Sequence, residues 1–161
     1  MFDLLKRYFT DRDERRTRAT YQDDDPRLAV AVLMVHVVAA DGAVTPPERK
    51  RLEEELTRRY GLDAAQALEL EEAARRAERE TATLQSFTAG LQRRLPPQER
   101  REIVSSLWRM VFADGQLHEF EDNVVWRIAD MLGVPAHERV ALRKEIEAEE
   151  EERRAGEDER P

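Results

Sequence analysis

The sequence predicts an all-α protein: about seven helices in a single bundle, built from two pseudo-symmetric helix-hairpin repeats. Three observations lead there. No segment alternates polar and apolar residues with the period of two that a half-buried strand needs. Apolar residues instead recur at steps of three and four, as in Leu84, Phe87, Leu91 and Leu95. The pattern A-D-G-x-[VL]-x-x-x-E also occurs twice, at Ala40–Glu48 and, 73 residues later, at Ala113–Glu121, each time after an apolar helix.

The first of those helices, expected over about 26–40, organises the rest. From Leu28 to Ala40 its only polar side chain is His36, so it reads as a helix buried on all sides, too short to cross a bilayer. Asp25-Pro26 supplies its start signal, and Asp41-Gly42 ends it, with Gly42 free to take a left-handed conformation. Thr45-Pro46-Pro47-Glu48 opens a second helix through a capping box and runs to Tyr60-Gly61. A third, about 63–79, is expected to turn Leu68, Ala73 and Ala77 inward. The Leu84–Leu95 stripe gives a fourth, ending before Pro96-Pro97. The fifth, about 97–113, carries Ile103, Leu107, Met110 and Val111 and is the counterpart of the first. Val124, Val125, Ile128, Ala129 and Leu132 mark a sixth that stops at Gly133. A seventh starts near Pro135 and is expected to fray into the solvated Glu149–Glu152 run.

Three regions follow: a short N-terminal helix and charged linker over 1–25, a helical domain over 26–145, and an acidic C-terminal tail over 146–161. Phe2, Leu5 and Phe9 give the first nine residues an apolar face. That segment is expected to dock on the core; its weaker alternative is peripheral contact with a membrane surface. Thr10–Asp25, almost free of aliphatic residues, reads as a linker.

Composition narrows the chemistry. The chain has 39% charged residues, a net charge of −8 and no cysteine. Disulfides, zinc–thiolate sites and thiol catalysis are therefore excluded. Nine acids against three arginines fall within residues 145–161, and neither that region nor the remainder has a nucleic-acid footprint. With no signal peptide or spanning segment, a cytoplasmic location is expected. No nucleophile, base and orienting group can be assembled, so no enzyme is expected.

The candidate site lies at the two acidic corners. An Asp at a helix C-terminus faces the negative end of the macrodipole, at a cost of roughly 0.3–1 kcal/mol when exposed. Breaking that rule at both Asp41 and Asp114 marks a functional candidate; the plainer reading is a common Asp-Gly turn. Glu48 has its own structural reason in the capping box. Glu121 has none, because His118, three residues earlier, is a poor cap. The pattern overlaps half of an EF-hand loop, but Val37, Ala39, Met110 and Phe112 stand where oxygen ligands would be needed. What remains is a composite carboxylate site of Asp41, Glu48, Asp114 and Glu121, a hard-oxygen set suited to Ca²⁺, Mg²⁺ or Mn²⁺. His36 reads as a core histidine, Arg109 as the partner of an acidic corner, and Trp108 and Trp126 as core anchors.

At VVAADGAVTPPE, MVFADGQLHEFE and the closing ADMLGV, the sequence resembles the TerB-like family of tellurite-resistance proteins, over about Pro26–Val134. The resemblance implies an all-helical fold and a non-enzymatic role in bacterial stress and metal or tellurite response. It also implies an acidic metal-binding cluster, which falls on Asp41, Glu48, Asp114 and Glu121. His36 and Arg109 stand where many relatives are expected to carry acids. The alternative is a metal-free helical interaction module of the adaptor or co-chaperone kind, since the TerB-like fold also occurs in co-chaperones. Protein partners are expected on either reading.

Overall fold

The computed structural model describes residues 25–40, 42, 44–80, 84–116 and 118–159. The expected N-terminal helix over residues 1–9, its linker as far as residue 24, and Asp41 lie outside the described residues. Among those described, seven helices and no strand are found: α1 (Pro26–Val38), α2 (Pro46–Tyr60), α3 (Ala64–Glu80), α4 (Leu84–Arg94), α5 (Pro97–Val111), α6 (Glu119–Met131) and α7 (Ala136–Asp158).

Helix α1 is the hub. It packs against α2, α3, α4, α5 and α6, and every residue from Leu28 to Val38 except His36 is buried. A helix this apolar on every side has no solvent face to offer, so the others must surround it. His36 stands on the rim of the core, with Nδ1 2.9 Å from Glu78 Oε1 on α3. No helix of the described residues is long and apolar enough to cross a membrane.

The start of α1 is set by Asp25, whose Oδ1 accepts from the Arg27 backbone N–H at 2.9 Å, with Pro26 in the first helical turn. The Arg27 guanidinium, hydrogen-bonded to the same side chain, holds the Asp25 carboxyl below its ordinary value of 3.8. Asp25→Ala is expected to lower stability by about 1 kcal/mol, measured by urea denaturation. Because the folded-state pKa is depressed, the ionic part of this contribution is present above the ordinary carboxylate pKa. It is lost as pH falls through the depressed value.

Three backbone hydrogen bonds recur at equivalent places in the two corners. Ala39 N donates to Val35 O, Ala40 N to Val37 O and Gly42 N to Ala39 O; Phe112 N donates to Trp108 O, Ala113 N to Met110 O and Gly115 N to Phe112 O. Gly42 and Gly115 have φ of 80° and 76°, the left-handed conformation that a side chain resists. The surroundings of the preceding helices differ, since α5 packs on α1, α2, α6 and α7 and is not enclosed as α1 is.

Three local readings change. Leu68 is 47% exposed, while Ala67, Leu70, Glu71 and Ala74 form the buried stripe of α3; Ala73 and Ala77 pack against the core at the edge of that stripe, as expected. Arg109 pairs with Glu55 of α2 and Glu149 of α7 rather than with an acidic corner. The acidic run does not fray: α7 continues through it to Asp158. Glu150 within it is buried and bonded to Arg51 of α2. Burial pushes the Glu150 carboxyl up, and the Arg51 guanidinium opposes that shift. Trp108 is fully buried, edge-on to Trp126 at 5.6 Å, with the Arg143 guanidinium over its ring.

Candidate metal centre

The site forms where the starts of α2 and α6 meet. Thr45, at the N-cap of α2, closes the capping box: its Oγ1 accepts from the Glu48 backbone N–H at 3.3 Å, and Glu48 Oε1 accepts from Thr45 N at 3.2 Å. Thr45 Oγ1–H also donates to Glu48 Oε1, at 2.7 Å. The box occupies only one carboxylate oxygen. Glu48 is fully buried, and its Oε2 has no hydrogen-bond partner among the described residues. Capping therefore accounts for half of this side chain.

On α6 the equivalent N-cap position holds His118, whose side chain makes no capping bond. Its Nε2 lies 2.7 Å from Asp114 Oδ2, and Asp114 Oδ1 accepts from the Gln116 backbone N–H at 3.0 Å. Asp114 thus fixes both the second corner and the ring of His118. Glu121, in the first turn of α6, is fully buried like Glu48. Ligand-capable atoms of Glu48, His118 and Glu121 all lie within 4.8 Å of one another. Each carboxylate sits in the first turn of its helix, where the positive end of the macrodipole offsets negative charge.

The structure therefore brings Glu48 and Glu121 together. It places Asp114 behind His118 rather than in the group, and Asp41 lies outside the described residues. His118 is the residue that sequence reasoning passed over. The signal was its alignment with Thr45: a side chain that caps poorly stands where a capping residue belongs.

Two buried carboxylates and a half-buried imidazole with ligand atoms within 4.8 Å of one another are a donor set for a divalent cation. The orphaned Glu48 Oε2 fits that use, because a buried carboxylate oxygen without a donor is costly unless something positive meets it. In the tautomer that puts the ring proton on Nε2, toward Asp114, Nδ1 is the nitrogen that would ligate. That is the arrangement in which a carboxylate orients a ligating histidine.

Fold and site together define an all-α bundle with a Glu–His–Glu group held between two helix starts. The chain belongs to the TerB family: the family profile described as "Tellurite resistance protein TerB" matches residues 27–144. Among solved structures it is similar to a protein of unknown function, PG1108, from Porphyromonas gingivalis W83. The two share 20% identity at a TM-score of 0.55, covering 75% of this chain and 96% of that one, a likeness of fold. No curated protein matches the chain significantly.

Proposed function

We propose that this TerB-family protein binds one divalent cation through Glu48, His118 and Glu121. It would act without catalysis, through protein partners, in a cytoplasmic bacterial response of the tellurite or metal-resistance class. The observation that carries the reading is the fully buried Glu48, with one oxygen spent on its capping box and the other without a hydrogen-bond partner, in a side chain that has a carboxylate oxygen within 4.8 Å of ligand atoms of His118 and Glu121. A bound cation supplies positive charge to the two carboxylates and a crosslink between α2 and α6. Burial of both carboxylates favours holding the ion over presenting it to a substrate, since catalytic sites keep an open position. The imidazole also shifts the preference from the hard cations Ca²⁺ and Mg²⁺ toward Mn²⁺ and Zn²⁺.

The test is equilibrium dialysis against Zn²⁺ or Mn²⁺ followed by elemental analysis. One ion per chain is expected in the wild type; a chain that retains none would sink the proposal. Asp114→Asn sharpens it. The asparagine oxygen can still accept from Gln116 N, but its amide nitrogen cannot accept from His118 Nε2–H. Affinity is expected to fall about 10–100-fold, the usual cost of losing such an orienting partner, while the melting temperature without metal stays near that of the wild type.

A metal-free adaptor remains the second reading, favoured by Phe120. It is 71% exposed on the first turn of α6, where a partner would find an aromatic side chain beside the site. On that reading, dialysis leaves no metal on the chain.

A further inference from the structure

The family match ends at residue 144, yet α7 continues to Asp158. Its inward stripe begins apolar, with Leu142 and Ile146 packed on the core. One and two turns further on, the same stripe carries Glu150 and Arg154. Beyond Ile146 no apolar side chain of α7 is buried, so the end of the helix is held by charge.

The attachment points are specific. Glu150 bonds to Arg51 of α2, and Arg153 Nη2 lies 3.4 Å from Glu54 Oε2 on the same helix. Arg109 of α5 reaches Glu149 at 3.4 Å. Arg154 Nη1 donates to the Phe112 carbonyl at 2.5 Å. Its guanidinium lies so close over Gly115 that a Cβ there would stand 3.2 Å from it. Between α2 and the end of α7 runs a cleft of about 560 Å³ with Asp114 in its wall, lined by Arg51, Glu54, Glu150, Arg153 and Arg154.

Two of the elements so joined carry the candidate ligands. Arg51 is three residues after Glu48 on α2, and both are on its buried face. Phe112 and Gly115 flank Asp114, which holds His118. We propose that residues 145–158 form a clasp that fixes the start of α2 against the second corner, so that closure of the clasp and cation binding strengthen each other. This inference rests on the cation reading above. Ligands contributed by two separate elements bind better when those elements are already held at the right distance. By linkage, whatever the clasp adds to cation affinity the cation adds to clasp closure. The more exposed pairs at Glu149 and Arg153 hold little by themselves, so closure depends on the buried Glu150–Arg51 pair and on Arg154.

Two measurements on the full chain test this. In the first, amide hydrogen exchange of residues 147–158 is followed with and without saturating Zn²⁺; exchange is expected to slow several-fold on binding. In the second, Zn²⁺ affinity is compared by calorimetry between wild type and Arg154→Met. The methionine keeps an unbranched apolar stem and removes the donor to Phe112, and affinity is expected to fall about 5- to 50-fold, within the usual range of coupling between sites. A purely structural role for Arg154 would lower the metal-free melting temperature and leave the affinity unchanged. If wild type binds Zn²⁺ but neither exchange nor the variant's affinity changes, the clasp is overturned and the cation site stands. If wild type binds neither Zn²⁺ nor Mn²⁺, both are overturned.

Discussion

Leu33→Ala is expected to lower the unfolding free energy by about 2–5 kcal/mol, and the melting temperature by roughly 4–20 °C. Leu33 is fully buried in the middle of α1, with Val30, Met34 and Val37 around the same helix also buried. Because α1 is enclosed by five helices, no single neighbour can move in to fill the space. Such a loss is a large share of the roughly 5–15 kcal/mol that holds a typical domain together. Urea denaturation of the variant measures it, with the slope unchanged if the bundle stays cooperative. A loss under about 1 kcal/mol would mean that α1 is less tightly enclosed than its burial implies.

The second large effect is expected at Glu48. Glutamine retains the capping oxygen, since a capping box accepts either Glu or Gln at this position, but it removes the charge that faces His118 and Glu121. Glu48→Gln should therefore melt at or above the wild-type temperature without metal, because one of two neighbouring buried carboxylates is gone. With Zn²⁺ or Mn²⁺ at a hundredfold excess over Kd, the wild type should gain about 2.7 kcal/mol, or about 5–10 °C. The variant should gain little. Glu48→Ala is the control for capping, expected to cost about 1 kcal/mol without metal and, like Glu48→Gln, to lose the metal-dependent gain. A metal-dependent rise that survives in Glu48→Gln would remove Glu48 from the site.

The sequence discloses the fold because the fold rests on local signals. The apolar run at Leu28–Val38 can be satisfied only by burial on all sides. Thr45 and Glu48 form their capping box within four residues. Gly61 and Gly133 end α2 and follow α6 in the left-handed conformation, at φ of 62° and 76°. Leu68 faces solvent although Ala73 and Ala77 pack inward as expected, because a helix rich in alanine and glutamate gives a weak angular signal.

The site was half legible for the same reason. Glu48 and Glu121 stood out because the motif repeats. His118 did not, because its place opposite Glu48 arises from the packing of α2 against the corner before α6. Asp114 was legible as a special residue but not in its role, since its contact with a histidine four positions on depends on how the turn bends between them. The end of α7 was the least legible. Glu150 meets Arg51 across 99 residues of chain, and a run of glutamates viewed alone has every reason to be solvated.

X-ray absorption at the zinc edge of the Zn²⁺-loaded protein tests the central claim most directly, because it counts the ligands. The account predicts a first shell of one imidazole nitrogen with carboxylate oxygens, at about 2.0–2.2 Å, and loss of the imidazole signal in His118→Gln. An all-oxygen shell in the wild type, or an imidazole signal that persists in His118→Gln, would contradict it.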